Sequence, residues 1–501
     1  MDILKKGFRG VIYQYAGAVF LGIIGFATSA YLIKKLSIED YGVYNFLFTV
    51  IVSLELLTAF GLTQTIQRYL PEYRTKGDNY IQKAIVIRAL LIRFIMGLVL
   101  VFAVWGFSDR ILVVFNMPAQ YKEIFIIALG IVMFYIESKI LGEGVLSALL
   151  ENGYYNLAYS AYAVIRLILF YLVVARGVRL GGIVFAWLAA EAALFILLFL
   201  KVYRMIIRLP AGTGTKGHFP LRRFAGFGGM AYLSNVAYFF RDKAGDVFLL
   251  SYFLGPYAVG LYSFAFGIPL LLMRLSPASM LRAVVTPFMV SRYSETGDKE
   301  DLIYYFAFTN RFIFFMMIPI FMGVIILADK VILYVFNPEY MSSKNLFMAS
   351  LGFCMVYQFF YVYSAIIYAL EKKRLFLISA MTALLNLAGD IILIPAYGVL
   401  GAILATGGSA IVLIVVSHIE LRKSVKISYP WSSFLKFSLN VSAACAVLIL
   451  ARGFIKDAFS LISAAALSCL VYMVVSYFNR GFEDRDRELI NRGLGRKIWV
   501  F

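Results

Sequence analysis

The sequence predicts an all-α polytopic membrane protein of about fourteen transmembrane helices, arranged as two parallel six-helix repeats with a two-helix appendage. Three observations carry that expectation. Of 501 residues, 62% are hydrophobic and only 15% charged, against roughly 25% charged in a typical soluble domain. Apolar windows of about 20 residues, the length a helix needs to cross the hydrocarbon core, recur from one end of the chain to the other. Turn residues of the first half also return in the second half at a nearly constant distance.

In chain order the windows fall near 11–33, 41–66, 84–106, 121–149, 155–175 and 181–203, then 224–254, 257–281, 303–327, 344–370, 375–394 and 398–419, and finally 434–452 and 459–479. About ten residues precede the first window and no small-residue cleavage site follows it. It is therefore expected to stay as a helix and not to be removed as a signal peptide. The longest connection, near 204–223, leaves no room for an inserted soluble domain. Lys and Arg concentrate in the N-terminus, in the loops near 67–88, 201–223, 282–302, 371–374 and 420–436, and in the tail, all on one side. By the positive-inside rule that side is the cytoplasm, so both termini are expected there, in a cell inner (cytoplasmic) membrane. The net charge of +19 is spread over these short loops, which fits contact with anionic membrane lipids and argues against nucleic acid. Cys354, Cys445 and Cys469 all lie in apolar windows, which excludes a disulfide framework and a cysteine metal site.

After the first window stands Leu36-Ser37-Ile38-Glu39-Asp40-Tyr41-Gly42-Val43-Tyr44; after the seventh stands Leu254-Gly255-Pro256-Tyr257-Ala258-Val259-Gly260-Leu261-Tyr262, matching at Leu, Gly and Tyr with an offset of 218. Near an offset of 220 the echo continues: Gly77-Asp78 with Gly297-Asp298, Asp109 with Asp329, Pro118 with Pro338, Glu151 with Glu371 and Gly181 with Gly401. Windows one to six and seven to twelve are thus two copies of one unit. An even number of spans makes them parallel, with a substrate site expected at their interface. The expected divisions are 1–210, 211–425, and 426–501 for the last two spans and a tail read as a solvated amphipathic helix.

Two six-helix bundles with an extra pair resemble the polysaccharide-transporter branch, the O-antigen-type flippases, of the multidrug/oligosaccharidyl-lipid/polysaccharide (MOP) exporter superfamily. Arg68-Tyr69-Leu70-Pro71-Glu72-Tyr73 is similar to the family's Arg-x-x-Pro-Glu-Tyr. Asp246 with Phe253-Leu254-Gly255, then Gly260-Leu261-Tyr262 and Ala265, resembles its signature across windows seven and eight. The likeness covers residues 1 to about 425. It implies a lipid-linked oligosaccharide substrate, a polyprenyl-pyrophosphate sugar, moved by alternating access for cell-surface polysaccharide biosynthesis.

Such a substrate asks for cations toward the pyrophosphate and aromatic or hydrogen-bonding walls toward the sugar. The cations inside the windows are Arg93, Lys139, Arg166, Arg241, Lys243, Arg274 and Arg311; the acids are Glu55, Glu137, Glu143, Glu191, Asp242, Asp246 and Asp390. Ionisable residues in spanning helices mark functional paths or structural ion pairs. Lys139 with Glu143 and Lys243 with Asp246 are helix neighbours and can pair locally. Arg241 faces away from both members of the second pair, so it needs a partner from another helix or from substrate. Arg274 lies between Pro269 and Pro277, which permit a kink. Its repeat counterpart is Glu55, and the two opposite charges are placed to meet across a cleft. Arg166 sits mid-window, while Arg93 and Arg311 are expected to snorkel toward the nearer surface. Arg241, Arg274, Arg166, Lys243, Asp246 and Glu55 are the candidate binding or gating residues. Tyr357 and Tyr361 share a helix face and are candidates for stacking on sugar, although such a stripe also serves packing.

Enzyme signatures are missing. Gly212-Thr213-Gly214-Thr215-Lys216-Gly217-His218 lacks the Lys-Ser/Thr of a phosphate-binding loop. His218 and His418 are too far apart in sequence for a local metal motif. No enzyme activity, cofactor or metal is expected, and an ion gradient (proton or sodium), the membrane potential or the substrate gradient is left as driving force. The competing expectations are a multidrug or cation antiporter of the same superfamily, against which the uncharged first window counts, and a non-transporting polymer-assembly subunit.

Overall fold

The computed structural model describes residues 2–208, 221–239, 244–275, 289–291, 293–370, 373–494 and 499–501, and all regular structure among them is helical. The chain divides into two compact units, one of Met1–Lys34 with Leu261–Phe501 and one of Lys35–Gly260. The divisions expected at 210 and 425 follow the sequence offset, whereas these units follow packing. Packing assigns the first helix, α1 (Asp2–Lys35), to the later unit and the segment before Gly260 to the earlier one.

In the 35–260 unit, α2 (Ile38–Ala59) starts at Ser37, whose hydroxyl accepts from the Asp40 amide, with Glu39 and Asp40 complementing the helix dipole. It ends where Phe60 and Gly61 take left-handed backbone, φ 41° and 65°. A Cβ on Gly61 would lie 2.0 Å from the Gly228 carbonyl oxygen, so the turn and the close approach both require glycine. The amphipathic α3 (Leu62–Thr75) buries Ile66, Tyr69, Leu70 and Tyr73. The Asp78 side chain caps α4 (Asn79–Gly106) by accepting from the Ile81 amide at 2.9 Å. After the short α5 (Ser108–Val114), α6 (Lys122–Lys139) runs into a π-type turn over Ile140–Leu146. Then come α7 (Asn152–Ala175), α8 (Leu180–Val202), α9 (Leu221–Phe239) and α10 (Ala244–Leu254). The Ser251 hydroxyl and Asn116 amide, each bonded to a backbone carbonyl at 2.6 Å, tie α10 to the segment after α5. At the start of α11 (Pro256–Ala265) the repeat glycines face each other. A Cβ on Gly42 would lie 1.8 Å from the Pro256 oxygen, and one on Gly260 2.0 Å from the Ile38 oxygen. Small residues let helix backbones approach this closely in a membrane, where tight packing replaces the hydrophobic drive.

The later unit continues with α12 (Gly267–Leu275), α13 (Lys299–Ile326), α14 (Ala328–Val335), α15 (Lys344–Gln358), α16 (Phe360–Ala369), α17 (Lys373–Tyr397) and α18 (Val399–Arg422). The last pair, α19 (Trp431–Ala451) and α20 (Ala458–Asn479), is joined by the Asn440–Ser476 bond at 3.0 Å and by Ser468 donating to the Ala444 oxygen at 2.9 Å. Tyr472 fastens α20 to α13 by donating to the Phe315 oxygen at 2.7 Å.

The tail departs from its expectation. In α21 (Asp484–Leu494) the Asp486 side chain is wholly buried, and Arg311 of α13 reaches it at 2.8 Å. Tyr304 donates to Asp486 at 2.9 Å, and the Arg485 guanidinium stacks 3.7 Å above the Tyr304 ring. Phe501 and Trp499 pack beside Phe315 and Phe482. The helix is docked and not solvated all round, because α13 carries a buried cation that needs the tail's carboxylates.

Twelve helices among the described residues are long and apolar enough to cross a membrane, and they fall on windows two to six and eight to fourteen. The first window falls on α1, and the seventh on α9 and α10, with residues 240–243 between them outside the described residues. Two of the residue pairs related by the sequence offset share local structure. Gly77 and Gly297 both take positive φ, 67° and 64°, and each is followed by an Asp that caps the next helix, α4 or α13. Pro118 and Pro338 both open a 3-10 turn into the following span.

Candidate functional site

The 35–260 unit carries a row of charges within its spanning helices. Arg93 of α4 has a wholly buried side chain; its Nη2 donates to the Glu55 side chain at 2.5 Å and to the Glu55 carbonyl at 3.2 Å. Arg93 therefore does not snorkel. A full carboxylate partner on α2 removes the need to reach water, and Glu55, read from the repeat as a counterpart of Arg274, has Arg93 as its partner here. Glu137 of α6 lies within the influence of the Arg93 charge and is 6% exposed, with its Oε1 making no hydrogen bond.

Two residues on, Lys139 donates to Glu143 at 2.5 Å, the i,i+4 pair read from the sequence, and both side chains are partly exposed. The pair straddles the entry into the π-type turn. Such a turn widens the helix by one residue and recurs at functional sites. Within it Gly142 leaves room for Tyr155, since a Cβ there would lie 2.2 Å from the ring. The Glu143 carbonyl accepts from Gln67 of α3 at 2.7 Å.

On α7, Arg166 donates to the Tyr162 hydroxyl at 3.0 Å and lies 5.1 Å from that ring and 6.0 Å from Phe170. Glu191 of α8 is 2% exposed and couples electrostatically to Arg166. The Tyr44 ring lies tilted against Trp187 at 5.4 Å and meets Phe170 edge-on.

The Arg-x-x-Pro-Glu-Tyr segment has a separate task. Glu72 accepts two bonds from Arg223, at 3.2 and 3.1 Å, and is flanked by Arg68 and Lys76. The Arg223 guanidinium lies 4.7 Å above Tyr69, whose ring packs 4.5 Å from Phe224. Bidentate geometry is the strong form of this pairing. Bonds from Lys76 and Arg223 pull the Glu72 carboxyl down to about 2. The motif thus clamps the start of α9 onto α3.

Of the other candidates, Asp246 is buried in the first turn of α10, at 1% exposure. Arg241 and Lys243 lie outside the described residues. Arg274 is exposed near the end of α12. Tyr357 stacks on Phe360 at 5.8 Å, and the Tyr361 side chain lies outside what is described. Arg311, expected to snorkel, is 2% exposed and held by Asp486 and Glu483. In the later unit Asn386 and Asp390 are buried on one face of α17, and Tyr363 meets His418 and Tyr429. Sequence reasoning missed the Arg93–Glu55 and Arg311–Asp486 pairs. The available signal was a deep charge without a local partner.

The spanning helices, with the polar side chains buried among them, define a multi-pass membrane protein. Its fold is similar to that of the lipid II flippase MurJ in an inward closed conformation, with a TM-score of 0.68 at 19% identity over 97% of this chain and 100% of that one. It is also similar to an inward-facing multidrug-resistance MATE transporter of the MOP superfamily, with a TM-score of 0.64 at 14% identity over 84% of this chain and 99% of that one. The chain belongs to the polysaccharide biosynthesis protein family, whose model matches residues 32–345. Among curated relatives it is 23% identical over 440 residues, 86% of each chain, to the probable low-salt glycan biosynthesis flippase Agl15 of Haloferax volcanii. It is 26% identical over 209 residues, 40% of this chain and 42% of the other, to the lipid II flippase MurJ of Thermosipho africanus.

Proposed function

We propose that this protein translocates a lipid-linked oligosaccharide, a polyprenyl-pyrophosphate sugar, across the cytoplasmic membrane by alternating access, as a step in cell-surface polysaccharide synthesis. The observation that carries the reading is the set of polar side chains inside the spanning helices of the 35–260 unit, in a chain whose relative over 86% of its length is a probable glycan flippase. Charges in a bilayer are costly unless paired or wetted. Here buried Arg93 is paired with Glu55, while Lys139 and Glu143 remain partly exposed.

On this reading the exposed pair faces a water-filled path for the sugar headgroup. Arg166, with Arg241 and Arg274 on residue type and position, serves the pyrophosphate; Glu55 positions Arg93. Asp246 and Lys243 are kept as candidates for binding or gating, and Tyr357 and Tyr361 for sugar contact, on residue type and position in the sequence. Both termini lie in the cytoplasm, the protein carries out no covalent chemistry, and a proton or sodium gradient, the membrane potential or the substrate gradient drives transfer. Deleting the coding sequence tests this. Loss of surface polysaccharide, with lipid-linked oligosaccharide accumulating on the cytoplasmic leaflet, supports it. Normal polysaccharide together with new sensitivity to cationic dyes supports an antiporter instead.

A further inference from the structure

One face of α7 carries Tyr155, Tyr159, Tyr162 and Arg166 at intervals of four, three and four residues. At about 100° per residue they fall within a stripe roughly 60° wide. Successive rings are 6.0 and 5.5 Å apart, and Arg166 lies 5.1 Å from the last. The opposite side of the helix is apolar and open, with Leu157 70%, Ile168 51% and Leu172 45% exposed, as a lipid-facing side should be. Around the tyrosine stripe Ala158, Tyr162, Ala163 and Phe170 are buried, yet Tyr159 in its middle is 37% exposed. That opening lies on the side of α7 opposite its widely exposed apolar face. Lys139 and Glu143 are likewise partly exposed, and their charges reach Tyr155. Lys139 also lies 5.9 Å from the Tyr135 ring.

We infer that Tyr155, Tyr159 and Tyr162, with the Lys139–Glu143 pair, form a binding wall for the uncharged glycan of the lipid-linked substrate. Aromatic rings present flat apolar faces for the C–H side of a pyranose and hydroxyls for its rim. The exposed charges of the recess cancel, Lys139 against Glu143. Balanced charge suits sugar hydroxyls, which both donate and accept, better than it suits a pyrophosphate. The π-type turn sets the wall, because Gly142 seats Tyr155 beside the charged pair.

The inference rests on the proposed function, and one binding experiment separates the two. Purified full-length protein is titrated with polyprenyl-diphosphate oligosaccharide extracted from the source cells and with the same lipid diphosphate stripped of sugar. The wall predicts that Y159A weakens oligosaccharide binding about tenfold while sugar-free lipid binding shifts less than twofold. Y159F, which keeps the ring, stays within about threefold of the native chain. Because Tyr159 is partly exposed, Y159A should keep the native thermal midpoint; K139Q/E143Q, which keeps shape without charge, serves as a second variant and should weaken the oligosaccharide selectively. If the native chain binds the oligosaccharide and both variants bind it equally well, the wall is refuted and the function stands. If the native chain binds neither lipid, the proposed function fails and the wall with it.

Discussion

Replacing Asp486 by alanine should release the tail. In the native chain its carboxylate is wholly buried, 2.8 Å from Arg311, which is itself 3% exposed along its side chain. Tyr304 adds a bond at 2.9 Å, and Glu483 supplies a second, 60% exposed carboxylate to Arg311 at 2.5 Å. Removing one member of a buried pair strands the other and costs about 3 to 5 kcal/mol. Because Glu483 remains, a value near the lower end, about 3 kcal/mol, is expected for D486A. At 1.4 kcal/mol per tenfold, that raises the undocked population by roughly a hundredfold. Burial pushes the Asp486 carboxyl up despite the neighbouring Arg311, so desolvation outweighs attraction. The double replacement R311M/D486L, which removes both charges, should therefore cost clearly less than D486A alone. The assay is the trypsin cleavage rate at Arg485, Arg487 and Arg492 in purified protein, alongside the thermal midpoint. Equal cleavage rates for D486A and the native chain would refute the docking argument. A double variant more labile than the single one would refute the burial argument.

Three further outcomes follow from the geometry. E55Q strands the buried Arg93 guanidinium and should lower stability by about 3 kcal/mol, read by thermal unfolding in detergent, with E55D partly restoring it. G42A and G260A each place a Cβ within about 2 Å of backbone, so either should cost about 3 kcal/mol or more and reduce the yield of monodisperse protein. For Glu72, a carboxyl held at about 2 against an ordinary 4.5 contributes stability that is complete above 4.5 and lost as pH falls through 2. Cross-linking of α3 to α9 should thus be constant from pH 5 to 9 in the native chain and lower throughout in E72Q, and a drop between pH 5 and 7 in the native chain would contradict the assignment.

Twelve of the fourteen apolar windows were legible as spans because a bilayer imposes one length and one composition on every span. Gly77-Asp78 and Gly297-Asp298, matched by the sequence offset, perform the same local task, a left-handed turn followed by a helix cap. Lys139 with Glu143 was legible because both lie on one helix. Arg93 with Glu55 and Arg311 with Asp486 were not, because their partners come from other helices and helix periodicity contains no information about which helices adjoin. The π-type turn was also invisible, and with it the reason that Tyr155, Tyr159 and Tyr162 stand out from 34 tyrosines. Compact units that exchange α1 and the segment before Gly260 depend on tertiary packing, to which a repeat offset is blind.

The most direct test is leaflet transfer by the purified chain in proteoliposomes. A labelled polyprenyl-diphosphate oligosaccharide is incorporated, and its accessibility to an external sugar-modifying reagent is followed over time. Transfer well above that of protein-free vesicles, retained by the native chain and reduced in Y159A, is the expected result. A rate equal to that of protein-free vesicles, from protein that binds the same lipid and is properly folded, would contradict the flippase reading.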